Sequence, residues 1–138
     1  MVFVFRVPIQ VRFRVLDSLN HVNNAVYVTY LEFARIAYWN ALLKNERPSM
    51  LVARVEMDYL RPVLLHDVVE VLVRTSEIGT KSFTMRYEIL ANGEVAARGS
   101  TVQVWFDHTA QISKSVPDAI RAKVLEFEPA VTERLRPA

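Results

Sequence analysis

The sequence has no cysteine, only three glycines and six prolines, and almost no excess of either charge. Without thiols it can hold no disulfide framework, thiolate metal site or cysteine nucleophile. That absence accords with a reducing compartment, and the chain is read as cytoplasmic. Scarce glycine and proline beside 51% hydrophobic residues exclude a collagenous or disordered polypeptide. Seventeen basic residues against fifteen acidic ones leave a formal charge of +2, too little to indicate a nucleic-acid partner. No long run is free of charge: Ala25–Leu43 comes nearest, but Glu32 and Arg35 interrupt its centre, so no membrane span is expected. Met1–Val11 alternates, contains Arg6 and Pro8, and lacks a small-residue cleavage site, so it reads as a strand rather than a targeting segment. A glycine-rich phosphate loop, a G-x-S-x-G elbow and a dinucleotide fingerprint are all missing. His21, His66 and His108 are scattered, and no metal is expected.

What is present is a strong period of two. The odd positions of Phe3–Phe13 are all apolar, and the even ones include Arg6, Gln10 and Arg12. That pattern predicts a strand with one face on a core. The alternation returns in Ala53, Val55, Met57 and Tyr59, in Val69, Val71 and Val73, and in Phe83, Met85, Tyr87 and Ile89. A last strand over Glu94–Phe106 puts Ala96, Val102, Val104 and Phe106 on one parity. Asn92-Gly93 predicts a hairpin, because a type I′ turn needs positive φ at both central residues. Gly79-Thr80 marks a second tight turn, and Arg61-Pro62 ends the strand before it. Short turns predict that the last four strands are consecutive antiparallel neighbours.

Between the first strand and this meander, Asn23–Leu43 carries Thr29, Glu32, Arg35 and Asn40 as one polar stripe on an apolar cylinder. Its residues, at 1.5 Å each, make roughly 30 Å of helix that the sheet must cover. Pro117–Glu126 predicts a short terminal helix with Ser115 as its cap. The reading is one α+β domain over 1–138: strand, long helix, four-stranded meander.

Just before the long helix, residues 16–24 hold one acid, one imidazole and three amides. Asn23 or Asn24 can cap the helix, leaving first-turn N–H groups pointing outward as an oxyanion site. An acid beside such donors has what acyl transfer needs: a group to attack or activate water, and donors for the developing charge. The bland alternative is that Asp17 merely forms a turn with the N–H of Leu19 or Asn20.

Asp17, His21, Val22, Asn23, Asn24, Tyr27, Tyr30, Glu32, Ala34 and Arg35 form the pattern D-x-x-x-H-V-N-N-x-x-Y-x-x-Y-x-E-x-A-R. It resembles the signature of hotdog-fold acyl-CoA thioesterases of the 4-hydroxybenzoyl-CoA thioesterase-like group. The likeness continues in Tyr59-Leu60-Arg61-Pro62-Val63, Asp67, Gly79–Phe83 and Gly99…Asp107, covering about residues 3–107. It implies the hotdog fold, an antiparallel five-stranded sheet wrapped around one long central helix. It also implies hydrolysis of acyl- or aroyl-CoA to the free acid and coenzyme A, with no separate cofactor. Asp17 matches the catalytic carboxylate, as nucleophile or base, and the backbone N–H of Asn24 matches the carbonyl donor. Two protomers share each site in such folds, so a homodimer or a tetramer is implied.

The chain departs from that pattern twice. Asn20 stands where the family usually has glycine, and Val15 where many members carry a second acid. Asparagine is the next most tolerant residue in a left-handed bend. His21 is assigned to the catalytic group, or to tying the loop. Asn23, Tyr27 and Arg61 are assigned to substrate, with capping the competing role for Asn23. Glu32 is the reserve base, and its default is an ion pair with Arg35 three residues on. Arg61, Lys81, Arg86 and Arg98 are the candidates for gripping coenzyme A phosphates. Two other functions remain open: the same chemistry on an acyl carrier protein, or a non-catalytic acyl-binding protein.

Overall fold

Asn23 starts the element around which the rest is arranged. Its side-chain oxygen accepts from Ala25 N–H at 2.9 Å and caps helix α1, Asn24–Leu43. The computed structural model describes residues 3–44 and 48–134. Tyr27, Tyr30, Leu31, Ala34, Tyr38, Trp39, Leu42 and Leu43 of α1 are buried, so the helix faces a core along most of its length. Strands β1 (Phe5–Ile9), β2 (Met50–Tyr59), β3 (Val69–Gly79), β4 (Ser82–Ala91) and β5 (Glu94–Asp107) form the main sheet. Its inner face presents Val71, Val73, Phe83, Met85, Tyr87 and Ile89, all buried against α1, as their alternation predicts. The fold class is the expected one: α+β, five antiparallel strands about one long helix.

The strand order, β1-β3-β4-β5-β2, corrects the four-stranded meander. Only β3, β4 and β5 are consecutive neighbours, and β2 pairs with β5 instead of β3. The reason lies in residues 60–68, too long for a tight turn and bonded elsewhere: Val22 N–H donates to Val63 C=O at 2.8 Å. The β4–β5 turn matches expectation, with φ of 54° at Asn92 and 82° at Gly93. Asn92 also reaches back, accepting from Val68 N–H at 2.8 Å and donating to Asp67 at 2.9 Å.

Three further expectations are corrected. β1 spans only Phe5–Ile9, because its ladder partner β3 begins at Val69, opposite Ile9. The chain then turns through a short 3-10 helix, Phe13–Val15, and Phe13 is 75% exposed rather than inward. In β5 a bulge opposite Ile89 and Leu90 reverses the expected parity, so that Ala97, Thr101 and Gln103 are buried. β2 is almost wholly exposed despite its alternation, and its outer edge has no partner among the described residues.

The tail adds strands β6 (Ile112–Ser113) and β7 (Thr132–Arg134) and helix α2 (Asp118–Phe127). Pro117, not Ser115, occupies the cap of α2, and its carbonyl accepts from Ile120 and Arg121 N–H. β7 runs parallel to β3 at Glu77–Gly79, beyond Val73, where β1 begins opposite at Phe5. In the gap between them, the carboxylate of buried Glu128 accepts from Thr75 N–H at 2.8 Å and from Tyr38 O–H at 3.0 Å. A side chain thus fills a missing place in the ladder.

Burial raises the Glu128 carboxyl above its ordinary value, against opposing hydrogen bonds from Thr75 and Tyr38 and the charge of Arg74. The native state therefore holds that proton more tightly than the unfolded chain. The contribution to stability is full below the unfolded pKa and is lost as pH rises through the folded one. Glu128→Gln keeps an acceptor and removes the charge. Its melting temperature should exceed the parent's near pH 8, and the difference should shrink towards about pH 4. An offset that is constant with pH would show that this carboxyl does not titrate in the fold.

Candidate active site

The loop between the 3-10 turn and α1 is held at both ends by backbone. Asn23 N–H donates to Val15 C=O at 2.9 Å, and Asp17 N–H to His21 C=O at 2.7 Å. Asn20 N–H closes a turn on Asp17 C=O at 3.0 Å, with φ of 62° at Asn20. Asparagine tolerates this left-handed bend better than most residues with a side chain.

Asp17 does form the turn of its bland reading, but with one oxygen only. Oδ1 accepts from Leu19 N–H at 2.9 Å and from His21 N–H at 3.1 Å. Oδ2 has no hydrogen bond among the described residues. One oxygen thus fixes the carboxylate in its turn. Asp17 lines a cleft of about 250 Å³ together with His21, Asn24, Tyr27, Tyr59 and Arg61. Asn24, first residue of α1, lines the same cleft, and its N–H, without a partner among the described residues, lies at the positive end of the helix dipole.

The walls are tied to the crossover between β2 and β3. Tyr27 O–H accepts from Val63 N–H at 3.0 Å, and Tyr59 O–H donates to Asn24 C=O at 2.9 Å. The two rings pack 5.1 Å apart. The Tyr27 phenol is raised mainly by burial, opposed by the Val63 bond and reinforced by charges including Asp17. It stays neutral and can donate.

The structure thus gathers Asp17, His21, Asn24, Tyr27 and Arg61 into one cleft. Asn23 is committed to the cap. Arg61 is ion-paired with Glu94, and Lys81, Arg86 and Arg98 lie outside the cleft. Arg98 pairs with Glu88 at 3.1 Å. Of the other acids in the quoted pattern, Asp67 binds Leu64 N–H and Asn92. Asp107 is held down at about 2, first by its bond to Lys114 and then by backbone N–H groups. The expected Glu32–Arg35 ion pair is not formed: Arg35 turns towards the core and meets Tyr87 O–H at 3.5 Å. Tyr59 is a wall residue that lay within the sequence likeness but was given no role there. Its signal was its place at the end of an alternating run, just before Arg61-Pro62. Among the described residues no group of three potential ligands could hold a metal ion. No helix there is long and apolar enough to cross a membrane.

A family model described as the thioesterase-like superfamily matches residues 11–134. A thioesterase from Thermus thermophilus, crystallised with coenzyme A and zinc, is 44% identical over 98% of both chains, with a TM-score of 0.85. The uncharacterized protein YsmA of Bacillus subtilis is 33% identical over 86% of this chain and 79% of its own length. The long-chain acyl-CoA thioesterase FadM of Escherichia coli is 27% identical over 84% of this chain and 93% of its own.

The bend after the acid can be tested apart from any chemistry. Asn20→Gly should fold as well as the parent, whereas Asn20→Val should lose about 1–3 kcal/mol in denaturant melts. Equal stability of the valine variant would mean that the left-handed bend is not required.

Proposed function

This chain belongs to the thioesterase-like superfamily, and from that premise we propose that it hydrolyses acyl- or aroyl-CoA to the free acid and coenzyme A. The observation that carries the reading is Asp17: one carboxylate oxygen is pinned by two backbone N–H groups, and the other has no hydrogen bond among the described residues, in a cleft that Asn24 also lines. The coenzyme A bound to the Thermus thermophilus relative and the activity named for FadM support the substrate class.

In this reading the thioester carbonyl accepts from Asn24 N–H, whose partial positive charge at the helix start favours the oxyanion. Asp17 either attacks the carbonyl carbon, forming an anhydride that water then opens, or takes a proton from the attacking water. On either route the C–S bond breaks and coenzyme A leaves as the thiol. His21 and Tyr27 line the wall and orient the substrate. Arg61 pairs with Glu94 where it lines the cleft.

Asp17→Asn preserves shape and can still accept the turn bonds, but it neither attacks nor takes up a proton readily. Turnover measured by thiol release should fall about 10²–10⁴-fold, with a much smaller change in affinity for coenzyme A. Near-parent turnover by a folded Asp17→Asn would overturn the assignment and shift the role towards Glu32. A parent inactive on CoA and carrier-protein thioesters alike would instead make this an acyl-binding protein without turnover.

The proposal includes a homo-oligomer. The outer edge of β2 runs for ten residues without a partner among the described residues, with Leu51, Val52, Val55 and Tyr59 exposed along it. A long unpaired apolar edge invites pairing with a second copy. Sedimentation should show a dimer or tetramer, and a stable, active monomer at micromolar concentration would contradict this.

A further inference from the structure

The first residue of α1 is held from the sheet by one side chain. The Tyr59 hydroxyl, at the end of β2, donates to Asn24 C=O at 2.9 Å. The base of that side chain is fixed. Tyr59 lies opposite Ala97 in the β2–β5 ladder, and the next two N–H groups, of Leu60 and Arg61, both donate to Ala96 C=O at 2.9 and 3.1 Å. Its ring leans on that of Tyr27, three residues further along α1, at 5.1 Å. Tyr59 is thus a strut, set in the ladder at one end and bonded to the helix start at the other.

The remaining ties reach the neighbours of Asn24. Val22 N–H donates to Val63 C=O, Asn23 N–H to Val15 C=O, and the Tyr27 phenol accepts from Val63 N–H. Among the described residues, no other hydrogen bond from outside the helix reaches Asn24 itself. Stability alone does not call for the strut: Tyr59 is 43% exposed, and a phenol at the surface can bond water instead.

We propose that Tyr59 is a positioning residue for hydrolysis, holding Asn24 so that its N–H meets the oxyanion of the transition state. The inference rests on the thioesterase reading above, which gives that N–H to the thioester carbonyl. A donor of this kind works only when placed closely, and a displacement of about 1 Å can cost 10²-fold in rate. Binding of the ground-state thioester, carried largely by the remote nucleotide, depends on the donor far less. Loss of the strut therefore lowers kcat and spares binding.

Tyr59→Phe keeps the ring against Tyr27 and removes the bond. On dodecanoyl-CoA or benzoyl-CoA, kcat from thiol release should fall about tenfold, with KM within about twofold of the parent's. S-dodecyl-CoA, a thioether without a carbonyl, should inhibit parent and variant equally, because it makes no use of the donor. Melting temperature and sedimentation should match the parent's. A general loosening of the cleft would weaken the thioether as much as it slows turnover, and that result would overturn the proposal. So would a kcat within about twofold of the parent's, or a fall that accompanies a changed assembly. These results leave the thioesterase reading standing, whereas a parent that hydrolyses neither thioester would overturn both.

Discussion

The site depends on Val63. Its carbonyl accepts from Val22 N–H and its N–H donates to the Tyr27 phenol, so one residue of the crossover grips the loop and the helix together. Val63 is itself fully buried, which denies water to both bonds and raises the cost of breaking either. The crossover can make these contacts because β2 pairs with β5 and the chain must then travel back to β3. A simple hairpin between β2 and β3 would remove the segment that fixes the loop. The topology and the cleft therefore follow from one connection.

Along the helix the structure separates two kinds of polar group. Near its start, Asn24 N–H and one oxygen of Asp17 have no partner among the described residues, and both residues line a cleft. Towards its end, Tyr38, Thr75 and Glu128 satisfy one another in the interior. That second group joins the tail to the core without a role in the cleft. Phe127 adds a ring contact with Tyr38 at 5.4 Å, so apolar packing and the carboxylate act on the same junction. A buried acid is costly unless hydrogen-bonded, and here two donors meet one oxygen.

Much of the fold was legible because local chemistry and global packing agree there. The apolar parity of β3 and β4, positive φ at Asn92-Gly93 and the cap before α1 each follow from side-chain geometry that acts over a few residues. The closeness of Asp17, His21 and Asn24 was legible for a different reason: they lie on one short loop and the helix residue that follows it, so sequence proximity is already spatial proximity. Tyr59 and Val63 were not, since they reach the loop from some 35 to 40 residues away along the chain.

By itself the sequence determined the element types, the helix start and the loop that carries the acid, all of them consequences of short-range periodicity and capping. Tertiary structure alone decided which strands are neighbours, which face of β5 is buried and where Glu128 finds its partners. Pairing order depends on how a connection is bonded along its whole length. A single bulge reverses every side chain beyond it, because alternation has a period of two. A buried carboxylate is placed by a gap between two strands that no local pattern encodes.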